Sequence, residues 1–320
     1  MHCQQILLIV DPGMCRTPAF DRAVHLACRS GAALHLLMVD YLGSVEAVGL
    51  INAEVMNLAR SAHLAEREEW LRELALELQS RHLRVSCQVL WGRPLHEKIV
   101  AQVLASKPDL VIKDLATTQG LRRLLLNSVD WQLLRLCPAP LLLVRQAAHS
   151  PSHRILAAVD PLHEAEQAGQ LNQRIVEAAQ WLCAMEPAEL HLLHAHGGMP
   201  PLPLLDATAS TDLFNQACEQ LRQIRQEKFM ALAQQYALGP EQLHLLDELP
   251  QDAIVRLSQA LKADTLVLGT VQRSGLGRVL MGSTAERVLS QLDCDVLAVK
   301  PQGFSGDLQA QLRCEAGANT

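Results

Sequence analysis

Ile6-Leu7-Leu8-Ile9-Val10-Asp11-Pro12 and Ile155-Leu156-Ala157-Ala158-Val159-Asp160-Pro161 are two copies of one phrase: a short apolar run closed by Asp-Pro. Asp109-Leu110-Val111-Ile112 recurs in the same way as Asp264-Thr265-Leu266-Val267. Near the end of each half, Cys137-Pro138-Ala139-Pro140-Leu141-Leu142-Leu143-Val144-Arg145 answers Leu292-Asp293-Cys294-Asp295-Val296-Leu297-Ala298-Val299-Lys300. The offset stays at about 150 residues, far longer than a solenoid repeat, so the chain is a duplicated domain. The polar, proline-containing His149-Ser150-Pro151-Ser152 joins the copies.

Within each half, short apolar runs alternate with long amphipathic stretches. Strands are expected near 5–10, 33–39, 84–90, 109–113 and 140–144, then 153–159, 189–195, 242–246, 264–268 and 295–299. Helical patterns in the second half cover about 164–184, 211–237, 251–261 and 282–292. Continuous apolar strands separated by helices describe right-handed βαβ units around a buried parallel sheet. The fold class is therefore α/β, with domains at 1–148 and 153–301. The glycine-containing stretch 302–320 reads as a flexible tail.

Composition narrows the function classes. Of 320 residues, 49% are hydrophobic and 19% charged, which supplies a core and excludes a disordered chain. The net charge of −6 argues against a general DNA or RNA binder, and 3% aromatic residues offer few stacking platforms for single strands. Nine cysteines without a CxxC pair read as small buried residues in a reducing compartment. No basic run precedes Ile6–Val10, and that apolar stretch is too short to span a membrane. The expectation is a cytoplasmic protein with neither membrane nor nucleic acid as partner.

In open parallel sheets, ligands bind beyond the carboxyl ends of the strands, where strand order reverses. Asp160 stands just past the first strand of the second half, and Gly269 just past the fourth. From Gly269 the chain reads Gly-Thr-Val-Gln-Arg-Ser-Gly-Leu-Gly-Arg-Val-Leu-Met-Gly-Ser to Ser283. Glycine admits close approach of a ligand, and N–H groups at a helix start favour an anion. Gly282, Ser283 and Thr284 fit such a phosphate cradle and fit a plain helix start equally well. A P-loop is excluded because Ser283 stands where its lysine belongs, and the dinucleotide fingerprint fails at Leu280.

With these residues in view, the sequence resembles the universal stress protein family in its tandem form, over nearly the whole chain. Nucleotide-binding members carry Gly-x-x-Gly-x9-Gly-Ser/Thr after the fourth strand and an Asp at the end of the first. Gly269, Gly282 and Ser283 fall on that pattern and Asp160 matches the Asp, while Gly282-Ser283-Thr284-Ala285-Glu286-Arg287-Val288-Leu289 is close to the family's usual text. The resemblance implies a nucleotide site at Val159, Asp160, Ala195, Leu268, Gly269, Gly282, Ser283 and Thr284. It also implies two Rossmann-like domains, each an open five-stranded sheet of order 3-2-1-4-5 with helices on both faces. In the family, last strands pair edge to edge, which would join 140–144 to 295–299 within this chain.

The pattern breaks at Gln272, where the motif has its second glycine. If that position needs positive φ, the side chain costs about 1–2 kcal/mol, roughly tenfold in affinity. Arg273 reaches a phosphate or is simply a solvated charge. In the first half, Asp114 stands at the place of Gly269 and Asn127 at that of Gly282, while Asp11 and Ser128 are kept. A carboxylate there repels phosphates, so the first half reads as a structural or partner-binding copy. His194 and His196 share a face of one strand, the geometry of a zinc pair or of plain strand-end histidines near His191. Trp131 reads as helix packing, and no nucleophilic triad emerges among 13 histidines.

The resulting expectation is a non-enzymatic stress-response protein that binds ATP weakly in its second half. Its alternatives are a weak ATPase or phosphotransfer enzyme, and a carrier or interaction protein without nucleotide. No metal is expected beyond the Mg²⁺ that accompanies ATP. Partners are a regulatory protein of unknown identity and, within the chain, each half for the other, with further oligomerisation left open.

Overall fold

The computed structural model describes residues 3–115, 128–145, 153–162, 170–197, 209–270, 283–289 and 291–304. In the first half, β1 (Gln5–Val10), α1 (Pro18–Ser30), β2 (Ala33–Asp40), α2 (Gly43–Gly49) and α3 (Ala53–Ser80) come first. They are followed by β3 (Val85–Trp91), α4 (Leu95–Ser106), β4 (Leu110–Asp114), α5 (Ser128–Leu136) and β5 (Leu141–Val144). The second half runs β6 (His153–Ala158), α6 (Leu171–Met185), β7 (Ala188–Ala195), α7 (Ala209–Gln234) and β8 (Leu243–Leu246). It closes with α8 (Pro250–Leu261), β9 (Thr265–Gly269), α9 (Ser283–Leu289) and β10 (Asp295–Val299).

All ten strands form one sheet in the order β3-β2-β1-β4-β5-β10-β9-β6-β7-β8. Each half is thus parallel with order 3-2-1-4-5. The halves join where β5 runs antiparallel to β10, with Val296 opposite Leu143, Leu297 opposite Leu142 and Ala298 opposite Leu141. That pairing covers two edges that would otherwise expose unpaired backbone groups.

Alternation along each strand feeds two apolar layers. Ile6, Leu8 and Val10 pack with Leu26, Leu71, Ile175 and Phe229 on one face. Leu7 and Ile9 pack with Ile99, Leu133, Ile254 and Val288 on the other. Helices therefore cover both faces, which is why the strands read as unbroken apolar runs.

Local chemistry sets the helix ends. Thr17 caps α1 by accepting from the Phe20 N–H (3.3 Å), and Pro18 opens the helix. Gly31 ends it in the left-handed region (φ 71°), donating to the Ala27 carbonyl. The helix expected from 164 begins at Leu171, after a left-handed Gln170; 163–169 lie outside the described residues. The helix expected to reach 237 ends at Gln234, because Ala237 turns left-handed (φ 53°). Phe304, assigned to the tail from sequence, is buried in the same apolar layer as Leu133 and Val288.

Candidate functional site

The strand order reverses at β6, which lies between β7 and β9. The carboxyl ends of these three strands bring Val159, Asp160, Ala195, Leu268 and Gly269 to one margin of the sheet. Ala158 is level with Leu193 on one side and Leu268 on the other. Gly282, Gln272 and Arg273 lie outside the described residues, as does Asn127. Ser283 and Thr284 open α9, and Ala285 and Val288 anchor that helix in the core.

Asp160 is held by its backbone and offers its carboxylate. The buried Asn172 amide makes a reciprocal pair with it: Asp160 N–H donates to Asn172 Oδ1, and Asn172 Nδ2 donates to the Asp160 carbonyl, both at 2.8 Å. The exposed carboxylate accepts a long bond from Leu162 N–H (3.4 Å) through Oδ1, and among the described residues no donor meets Oδ2. Asp11 makes the same local turn, accepting from Gly13 N–H at 2.7 Å. Sequence reading missed Asn172; its signal was a lone amide between Leu171 and Ile175 on an apolar face.

Val159 is committed to the fold. Its N–H donates to the Leu193 carbonyl, and its own carbonyl accepts from His194 Nδ1 at 3.1 Å. That bond places the proton on Nδ1, so Nε2 of the buried His194 is an acceptor with no partner among the described residues. Burial holds the His194 pKa below the ordinary histidine value, aided by His196 and Arg225. His196 sits on Arg225 (3.0 Å) and near Asp247 (3.3 Å), and burial and Arg225 lower its pKa too. His191 faces His244 at 3.1 Å, away from this pair. Among the described residues no group of three metal-ligating side chains converges.

The repeat explains Gly269 and Asp114 by packing. A Cβ on Gly269 would lie 2.6 Å from Leu171 Cδ2, 3.1 Å from Leu171 Cγ and 3.3 Å from Ile175 Cδ1. The first turn of α6 therefore rests on the strand end, and any side chain at 269 would have to displace Leu171. In the first half Asp114 occupies this place, and its carboxylate accepts from Ala19 N–H in the first turn of α1 (2.9 Å). Burial raises the Asp114 pKa, against the bonds from Thr17 and Ala19. The first half thus fills the corresponding place with its own anion. Trp131 is half-buried against the core of that half.

A cavity of about 820 Å³ lies at the opposite sheet margin, lined by Arg154, Cys183, Glu189, Leu190, Leu238 and Gln242. It is an open groove at the amino ends of β6 and β7. The strand-end margin at Asp160 is the better candidate on geometry.

The profile of the universal stress protein family matches residues 2–145 and again 151–300. The chain belongs to the universal stress protein family. It carries two universal stress protein domains in tandem. Universal stress protein E of Photorhabdus laumondii is 28% identical over 313 residues, covering 96% of this chain and 98% of that one. Universal stress protein E of Escherichia coli K12 is 28% identical over 307 residues, covering 94% and 95%. A crystal structure of a functionally unknown protein from Pseudomonas aeruginosa PAO1 aligns with a TM-score of 0.76 at 28% identity, covering 97% of this chain and 96% of that one. Membership in this family supports a stress-response role. Among the described residues no helix is long and apolar enough to cross a membrane.

Proposed function

We propose that this universal stress protein binds an adenine nucleotide, weakly, in its second half and acts in the cytoplasm by binding rather than turnover. The observation that carries the reading is the convergence of Val159, Asp160, Ala195, Leu268 and Gly269 at the point where strand order reverses. The open Oδ2 of Asp160 is an acceptor for a ribose hydroxyl or a base N–H. Its negative charge sends the phosphates to the other side, towards Gly282, Ser283 and Thr284. Mg²⁺ would arrive with ATP, neutralising phosphate charge. Asp114 makes the first half a poor second site, because its carboxylate already fills the matching place.

Equilibrium dialysis of Mg-ATP against Gly282→Val and Asn127→Val variants tests the assignment. The Gly282 variant is expected to lose binding while the Asn127 variant keeps it. Loss confined to the Asn127 variant would reverse the assignment. Phosphate release by the wild-type chain in the same samples would replace binding with catalysis, and absence of nucleotide from every sample would leave a carrier or regulatory-partner role.

A further inference from the structure

Lys300, the residue after β10, is 3% exposed, and among the described residues its hydrogen-bond acceptors are all backbone carbonyls. Its Nζ donates to the carbonyls of Leu134 (2.6 Å), Arg135 (3.1 Å) and Thr270 (3.1 Å), and lies 4.9 Å from the centre of the Phe304 ring. Leu134 and Arg135 belong to the last turn of α5, whose carbonyls have no partner within the helix and carry its negative end. Thr270 is the residue from which 271–282 departs, and its own N–H donates to the Val299 carbonyl. On α6, Arg174 fixes Lys300 from behind by donating Nε to its carbonyl (2.8 Å).

A buried ammonium without a carboxylate is expensive, and an apolar side chain would fill the same volume at less cost. What an apolar side chain cannot do is donate to carbonyls from both halves of the chain at once. We propose that Lys300 is a positioning residue that couples the two halves, its side-chain nitrogen joining the end of α5 in the first to the Thr270 carbonyl just past β9 in the second. The coupling rests on this geometry; its effect on nucleotide affinity rests also on the nucleotide reading above. It gives the first half a task that needs no ligand of its own.

Burial lowers the Lys300 pKa to about 7. The groups facing it are the Cys137 thiol, kept protonated by burial with a pKa of about 12, and Arg135 and Arg174, which meet it through backbone bonds. When the contact opens, the amine returns to water and its pKa rises towards the ordinary value near 10.4. The open state then binds the proton more tightly. Opening is therefore greatest at and below about pH 7, and falls as pH rises towards the ordinary lysine value.

Hydrogen–deuterium exchange on the full chain, corrected for the intrinsic pH dependence of exchange, tests the proposal. In Lys300→Met, peptides covering 128–136 and 265–270 are expected to open together, by about tenfold or more, since buried carbonyls lose their donor. In the wild type, opening of both segments falls in step between about pH 7 and 10, and this dependence is lost in the variant. Loosening of one segment alone, or of neither, would overturn the coupling. Should Lys300→Met not fold, Lys300→Gln, which keeps a donor on a shorter side chain, decides: loosening of both segments together supports the coupling, and loosening of one alone or of neither overturns it. If exchange behaves as expected but the wild type binds no Mg-ATP, the nucleotide reading fails while the coupling stands.

Discussion

His194 gives the strand-end site a pH signature. In the folded chain its imidazole is buried, neutral and bonded to the Val159 carbonyl, with a pKa below the ordinary value. In the unfolded chain it titrates near 6.5. As pH falls through about 6.5, the unfolded state takes up a proton that the native state refuses, so stability declines until the folded pKa is reached. Urea unfolding at pH 7.5 and 5.5 is expected to show a larger loss in the wild type than in His194→Gln, which keeps a donor for Val159. Equal losses would mean that His194 is solvated in the native state. Gly269 works on the same scale but through volume: its missing side chain is the space that Leu171 fills.

At the scale of elements, the two copies hold the helix after their first strand by different means. Helix α1 has a Thr17 cap and the Asp114 carboxylate on its first turn. Helix α6 starts from Gln170 with no side-chain cap, and Asn172 ties its first turn to Asp160. Thr17→Ala should therefore cost about 1 kcal/mol, the usual worth of a cap. Asn172→Ala should cost more, roughly 1–3 kcal/mol, because it removes two hydrogen bonds to the part-buried backbone of Asp160. Thermal unfolding of the two variants checks the order. The strands were legible because sheets covered on both faces need continuous apolar runs, and each lies within a residue or two of its expected span. Helix α2 was not legible, since Gly43–Gly49 buries no side chain and leaves no periodic stripe. The strand-end residues Asp160 and Gly269 were legible from motif spacing. Their supports were less so: Asn172 shows only as an amide on an apolar helix face, and Lys300 acts through contacts that no local pattern encodes.

The whole molecule is organised about the β5–β10 seam. Arg22 of α1 reaches across it to Glu186 (2.7 Å) and Asp295 (3.4 Å), all buried, and Arg29 donates to the Met185 carbonyl on the same side. Lys300 spans the opposite side. Partners 273 residues apart, like Arg22 and Asp295, are beyond any reading of sequence periodicity. The seam makes the duplicated halves unequal. One supplies contacts and fills its strand-end place with Asp114; the other keeps Gly269 and the open Asp160 carboxylate. Calorimetric titration of Mg-ATP into the intact wild-type chain and Gln272→Gly tests this asymmetry most directly. The expected result is one site per chain in both, tightened about tenfold in the variant if strain at Gln272 is the main defect. Two equivalent sites per chain, or no binding heat from either protein, would contradict it.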